Sequence, residues 1–312
     1  MPRGRAAPRY GAAVTECVVV VPRVRFPEGP VWCADGTLVF TSVPDGSLLR
    51  ADPATGDCTP VAVVGGGANA AAPTTDGGFV VTQNGGIDFS GLTAVPGLDL
   101  DGMPPYRPVT PGLQRVAPDG TVTFLADVGF LAPNDLTAAP DGTLYFTDPP
   151  HHPPPPEPRG RVHAVAPDGT VHTVAAGFAY CNGIAREPGG TLVVVEGPGL
   201  VRLDPTDGSR EGIVPTLGSA SGDGLALDAD GRIYVCCTGE HAVRVLEPDG
   251  TEVDRLEVPG SGLVTNCCFG GADGRTLFVT QGVPGAVVAF PGLPTPGLAV
   301  HPWPVPAGMG AR

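Results

Sequence analysis

Six residues able to offer oxygen to a cation or a substrate recur at one phase of this chain. Counting seven residues back from the Asp of Asp35-Gly36, Asp76-Gly77, Asp141-Gly142, Asp230-Gly231 and Asp273-Gly274 lands on Glu28, Asn69, Asn134, Asp223 and Asn266. In a sixth copy Glu187-Pro188-Gly189-Gly190 replaces the turn, and the same count from Gly189 gives Asn182. The 32 acidic residues and five Asn make up 37 of 312, so composition alone does not put such a residue at all six places. Two carboxylates and four carboxamides, with no His or Cys, form a hard oxygen donor set. Such a set favours one divalent cation, Ca²⁺ ahead of Zn²⁺, with Mg²⁺ and Mn²⁺ as alternatives. Asn and Asp also serve in turns, which accounts for a single Asn182-Gly183. It does not account for Glu28, because Glu has little special use there.

The elements that hold these positions are themselves repeated. Successive phase residues are 41, 65, 48, 41 and 43 residues apart. Within the first copy, apolar runs at 29–33, 37–41, 47–51 and 58–64 alternate with turn signals, which predicts four short antiparallel strands. A period of 40 to 45 residues built from four strands is the signature of a β-propeller blade, so six copies predict an all-β, six-bladed propeller with its polar ring at one mouth of the central channel. A strand at 17–21 precedes the first copy and is expected to complete the last blade. The expected organisation is a flexible arm at 1–13, one propeller domain over 14–290, and a Pro/Gly-rich segment over 291–312 that packs on the propeller and wraps its outside. The two long intervals carry their extra residues after the second strand, at 88–113 and 149–159. In an up-and-down meander that point lies on the same face as the start of the first strand. Both insertions are therefore expected to overhang the ring as a lid or specificity wall.

Composition narrows the function further. The net charge of −14 argues against nucleic acid or an anionic membrane surface as partner. The chain contains no Lys, which excludes a lysine Schiff base. Gly 47 and Pro 38 punctuate apolar runs rather than forming low-complexity tracts. The eight Cys include the adjacent pairs Cys236-Cys237 and Cys267-Cys268. Neighbours on a strand point to opposite faces, so neither pair closes an ordinary disulfide or chelates one zinc. Buried free thiols in a reducing compartment are expected. The run at 18–21 is too short for a signal peptide and no long apolar segment follows. The expectation is a monomeric cytoplasmic protein acting on a small molecule.

These motifs resemble a known family. Pro27-Glu28-Gly29-Pro30-Val31-Trp32, Pro133-Asn134-Asp135-Leu136, Phe146-Thr147-Asp148-Pro149, Cys181-Asn182-Gly183-Ile184-Ala185, Gly222-Asp223-Gly224-Leu225 and Thr265-Asn266 resemble the gluconolactonase/regucalcin-like (senescence marker protein) family, from about residue 17 to 290. The resemblance implies a six-bladed propeller with one catalytic divalent metal, commonly Ca²⁺ or Zn²⁺, and lactone hydrolysis as the usual activity. By motif, Glu28, Asn182 and Asp223 resemble its metal ligands, and Asn134 a position that binds metal or substrate. One departure is Ala132, where many such lactonases carry an Arg two residues before the Asn of the Asn-Asp pair. That puts a sugar-acid substrate in question, and the insertion at 88–113 and the His151-His152 loop point to a different, less polar one.

The sequence thus supports a metal-dependent hydrolase of a lactone or related ester. Asp223 is the candidate general base. Asn69, Asn134 and Asn266 in the ring, Asp148 at a strand end, and Tyr106, His151 and His152 in the insertions are the candidate substrate contacts. A phosphotriesterase-like or nonhydrolytic biosynthetic enzyme on the same scaffold is the alternative. A noncatalytic propeller that binds a protein on its rim is the second, and the polar ring argues against it.

Overall fold

The structure, a computed structural model, describes residues 16–91, 102–151, 156–157, 159–218, 221–260 and 262–309. The expected arm at 1–13 and His152 lie outside the described residues, as does part of the first insertion. The chain forms six four-stranded antiparallel sheets arranged as the blades of a propeller. Blade 1 runs Pro27–Trp32, Leu38–Ser42, Ser47–Ala51 and Cys58–Val63. Blade 2 runs Ala68–Pro73, Phe79–Gln83, Gly112–Val116 and Val122–Ala126. Blade 3 runs Leu136–Ala138, Leu144–Asp148, Gly160–Val165 and Val171–Phe178. Blade 4 runs Cys181–Arg186, Leu192–Glu196, Gly199–Leu203 and Arg210–Val214. Blade 5 runs Ser221–Leu227, Ile233–Thr238, Ala242–Leu246 and Glu252–Glu257. Blade 6 runs Leu263–Gly270, Thr276–Val283 and Ala286–Phe290. Its fourth strand is Val18–Pro22, paired antiparallel with Ala286–Phe290, so the chain's two ends close the ring in one sheet.

Each blade is covered on both faces by its neighbours, which explains why the second strands read as continuous apolar runs rather than as alternating ones. In Leu192-Val193-Val194-Val195 the first and third side chains join the core between blades 3 and 4, the second and fourth the core between blades 4 and 5. Six buried clusters result, one at each interface between consecutive blades. The adjacent cysteines follow the same rule: Cys236 faces blade 6 and Cys237 faces blade 4. All eight thiols are free. Six are buried, but Cys58, at the start of an outermost strand, is exposed, and Cys17, just ahead of the outermost strand of blade 6, is half-buried. Asp-Gly turns form through an Asp side chain that accepts a backbone N–H, as Asp141 does from Thr143 at 2.9 Å; in blade 5 Asp228 takes that part, accepting from Arg232 at 2.9 Å.

The C-terminal segment does not wrap the outside. Residues 291–309 cross the face opposite the ring. Leu293 N–H donates to Arg275 O, Leu298 N–H to Leu227 O on blade 5, and Trp303 N–H to Pro73 O on blade 2. Blades 5 and 2 lie opposite each other, so residues 298–303 pass over the axis. The segment takes this path because Trp303 has a place to bury its ring: it is fully enclosed in the core between blades 2 and 3, with its indole N–H on Gly142 O at 3.0 Å. Trp303→Ala removes that anchor, and the expected loss is about 3–5 kcal/mol. Urea unfolding checks it through a lower midpoint at unchanged slope.

Candidate functional site

The innermost strands start at the same mouth, and their first side chains meet near the axis. Acids and amides alternate around it: Glu28 on blade 1, Asn69 on blade 2, Asp135 on blade 3, Asn182 on blade 4, Asp223 on blade 5 and Asn266 on blade 6. Glu28, Asn69, Asp135, Asn182 and Asn266 are buried, while Asp223 keeps part of its surface open. Asn182 Nδ2 donates to Asp223 Oδ1 at 2.6 Å, and Asn266 Nδ2 to Asp135 Oδ1 at 2.7 Å. Blades 6 and 3 are opposite, so the second bond spans the channel. Glu28 Oε2 accepts the N–H of Gly29 at 2.9 Å.

Glycine lets the strands come this close. A β-carbon at Gly224 would lie 2.0 Å from Asn266 Cγ, and one at Gly29, whose φ is 47°, would lie 2.3 Å from Ala70 Cα. Threonines stitch the ring from behind, Thr41 and Thr82 from second strands and Thr265 from the innermost strand of blade 6. Thr41 Oγ1 donates to Asn69 O at 2.6 Å, Thr265 Oγ1 to Pro27 O at 3.0 Å, and Thr82 Oγ1 to Asn134 O.

In blade 3 the hydrogen bond across the ring is made by Asp135, the residue after the phase position Asn134. Asp135 carries the side chain bonded into the ring, while Asn134 is half-buried and holds the blades through its backbone, its N–H on Thr147 O at 2.8 Å. The regular inner strand of blade 3 begins only at Leu136, so the lead-in shifts by one residue, and adjacent side chains point to different sides. The signal was present in the Asn134-Asp135 pair, two candidate ligands side by side.

Electrostatics make the ring unusual. Burial pushes the Glu28 carboxyl well above its ordinary range, with Asp223 and then Asp135 adding like-charge repulsion. Burial also raises Asp223, with a further push from Asp135. Asp135 is pushed up to about 7 by burial, against the lowering effect of its bond from Asn266. Tyr180, missed by the sequence reading, has its phenol raised by burial and then by Asp223. Among the described residues no Arg or His forms an ion pair with any of the three acids. Asn69 Oδ1 and Asn182 Oδ1 are buried without a hydrogen-bond partner. No three of the described His, Cys, Asp or Glu side chains stand close enough to hold an ion by themselves. The donor set is instead mixed, carboxylate with carboxamide oxygen, and it fits a hard divalent cation by type and charge.

Of the other candidates, Asp148 is a support and not a substrate contact. It is fully buried and accepts the N–H groups of Leu131 and Ala132, both at 2.8 Å, together with Arg161 at 2.6 Å and His163 at 3.1 Å. Its Oδ1 fixes the segment that leads into Asn134 and Asp135, and its Oδ2 is taken up by Arg161 and His163 on the third strand of the blade. Ala132 is buried in that segment. The insertions do stand over the mouth side. Phe89 packs edge-on against Phe26, two residues before Glu28, with ring centres 5.1 Å apart. A methyl in place of a Gly86 hydrogen would lie 3.0 Å from the Tyr106 ring, and one at Gly85 would lie 3.5 Å from His151 Cε1. Tyr106 and His151 are both exposed, and both insertions therefore meet above the Gly85-Gly86 turn. Among the described residues no helix is long and apolar enough to cross a membrane.

The profile of the SMP-30/gluconolactonase/LRE-like region matches residues 26–282. A gluconolactonase of Zymomonas mobilis is 25% identical over 319 aligned positions, covering 88% of this chain and 82% of the relative. Among solved structures, a calcium-binding regucalcin of Agrobacterium tumefaciens superposes with a TM-score of 0.74 at 23% identity, covering 91% of this chain and 96% of that one. A gluconolactonase of Xanthomonas campestris gives 0.70 at 22% identity, covering 95% and 97%.

The raised acids make the chelated protein pH-sensitive. Their protonated form is the one folding favours, so the stability they contribute is complete below the unfolded carboxyl value near 4 and falls as pH rises through about 7 for Asp135. In chelator, the melting temperature is expected to fall between about pH 4 and pH 7, and Asp135→Asn should flatten that slope. Calorimetric melts at stepped pH check it, and equal slopes in both proteins would disprove the coupling.

Proposed function

Since the chain belongs to the SMP-30/gluconolactonase/LRE-like family, we propose that it hydrolyses a lactone or related ester and depends on one divalent cation, Ca²⁺ by donor type. The observation that carries this reading is the ring itself: three carboxyls around one axis that pair with no cationic side chain among the described residues, beside two buried carboxamide oxygens that find no hydrogen-bond partner among them. A purely structural ring would leave these groups costly, because buried charge without a partner is strongly unfavourable. The name of the Zymomonas relative supports the reaction class.

Glu28, Asn182 and Asp223 would hold the ion, with Asn134 at the edge of the set. A cation there supplies Lewis acidity towards the substrate carbonyl. Asp223 takes the proton of the attacking water. Its Oδ1 is held by Asn182 at 2.6 Å, which orients the carboxylate. Asn69 offers its unpartnered carboxamide oxygen to a substrate hydroxyl. The bond from Asn266 to Asp135 keeps the opposite wall from collapsing onto the substrate. The Phe26–Phe89 pair and Tyr106 restrict water on the mouth side. With Ala132 buried and carrying no guanidinium, the ester is uncharged and less polar than a sugar acid.

Metal analysis of purified protein, with melts in and out of chelator, tests the ion. A lactone panel run beside a phosphotriester panel tests the reaction. Glu28→Gln should keep the fold and lose both bound metal and turnover, while Asp223→Asn should lower kcat/KM on the lactone by at least about a hundredfold. Full turnover in Asp223→Asn would remove its role as base, and unchanged metal content in Glu28→Gln would remove the ring as the metal site.

A further inference from the structure

Below the ring the channel is a second space with a different chemistry. It forms a cavity of about 480 Å³ lined by all six innermost strands, with Ala71, Leu136, Ile184, Leu225 and Phe269 among its walls. That volume falls in the range of small-molecule sites, roughly 300–1,000 Å³. The bond from Asn266 to Asp135 spans the axis at ring level and separates this chamber from the mouth. At the other end Leu298 to His301 of the crossing segment form its floor, and Val300 is 43% exposed there. The walls comprise about three residues of several strands, such as Leu136–Ala138 and Leu225–Leu227. At about 3.3 Å per residue the chamber is on the order of 10 Å deep, with mainly apolar side chains on its walls.

Its rim is not apolar. Arg186 and His301 both line it. Arg186 makes one long hydrogen bond, to the adjacent Glu187 O at 3.4 Å, while the Glu187 carboxylate is committed to Arg202 at 2.7 Å. Among the described residues no carboxylate pairs with Arg186. A guanidinium left without an acid on a protein of net charge −14 is a selective place for an anion. A mainly apolar chamber with a guanidinium at its edge matches a molecule with one anionic head and one apolar tail.

We infer that the channel end opposite the ring binds a medium-chain aliphatic monocarboxylate, its carboxylate on Arg186 beside His301 and its chain in the chamber between the innermost strands. The site is independent of the ring and of the reaction proposed there. The chain leaves water for walls supplied by all six blades, so binding should carry the negative heat-capacity change of apolar burial.

Decanoate, below its micelle concentration, is titrated calorimetrically into the full-length protein. One site per chain with a negative heat-capacity change is expected, unchanged by EDTA. Arg186→Gln should weaken decanoate at least tenfold, and decanol should bind wild type at least tenfold more weakly than decanoate. Ala226→Leu puts bulk into the chamber and should abolish binding. Ala138→Leu on another wall replaces it if circular dichroism shows that the first variant does not fold. No saturable binding, equal binding of decanol, full affinity in Arg186→Gln, or retained binding in the filled chamber each overturns the assignment. Loss of binding on chelation would place the ligand at the ring and overturn it as well.

Discussion

Closing six sheets around one axis forces the first side chains of the innermost strands into a common small space, and in this protein three of those side chains are acids. Burial raises the proton affinity of all three; Asp223 and Asp135 raise Glu28 further, and Asp135 raises Asp223. The repulsion is moderated by geometry. An amide-bearing blade stands between each acid and the next, and amide N–H groups of Asn182 and Asn266 take up oxygens of Asp223 and Asp135. What remains is excess negative charge and unpartnered oxygen, which only a cation or bound protons can relieve.

The rest of the fold makes that concentration of charge sustainable. Small residues beside the ring allow strand starts to approach until a β-carbon at Gly224 would collide with Asn266. Threonine hydroxyls join one blade to the next directly behind the ring. Apolar clusters at all six interfaces leave each blade with neither face free, and closure is secured twice. The N-terminal strand completes blade 6, and the C-terminal segment ties blade 5 to blade 2 across the far opening. Asp148 acts in the same direction locally by clamping the lead-in to the blade 3 acid.

The channel thereby has two unlike ends. One carries oxygen donors on the side where Phe89 of the first insertion packs on Phe26 and Tyr106 lies beside Gly86. The other is an apolar chamber floored by the C-terminal segment, with Arg186 at its rim. A single bond between opposite blades divides them.

Much of this was legible in the residues. A strand has a period of two and a blade a period near forty, and both are written in turn residues and apolar runs that local chemistry fixes, so the six blades, the strand that closes the last of them and the general place of the insertions follow from the sequence. Five of the six ring positions follow as well, because the count from the Asp-Gly turn is kept wherever the inner strand is regular. In blade 3 the count lands on Asn134, while the hydrogen bond across the ring is made by its neighbour Asp135, ahead of the regular strand that begins at Leu136. Two further features rest on contacts between residues far apart in the chain. Asp148 is taken up by its own blade's lead-in rather than by a substrate, and the C-terminal segment crosses the axis rather than the outer wall. Local pattern names the groups that can do chemistry. Which of them face one another, and how strongly they perturb one another, is decided only when closure sets the distances.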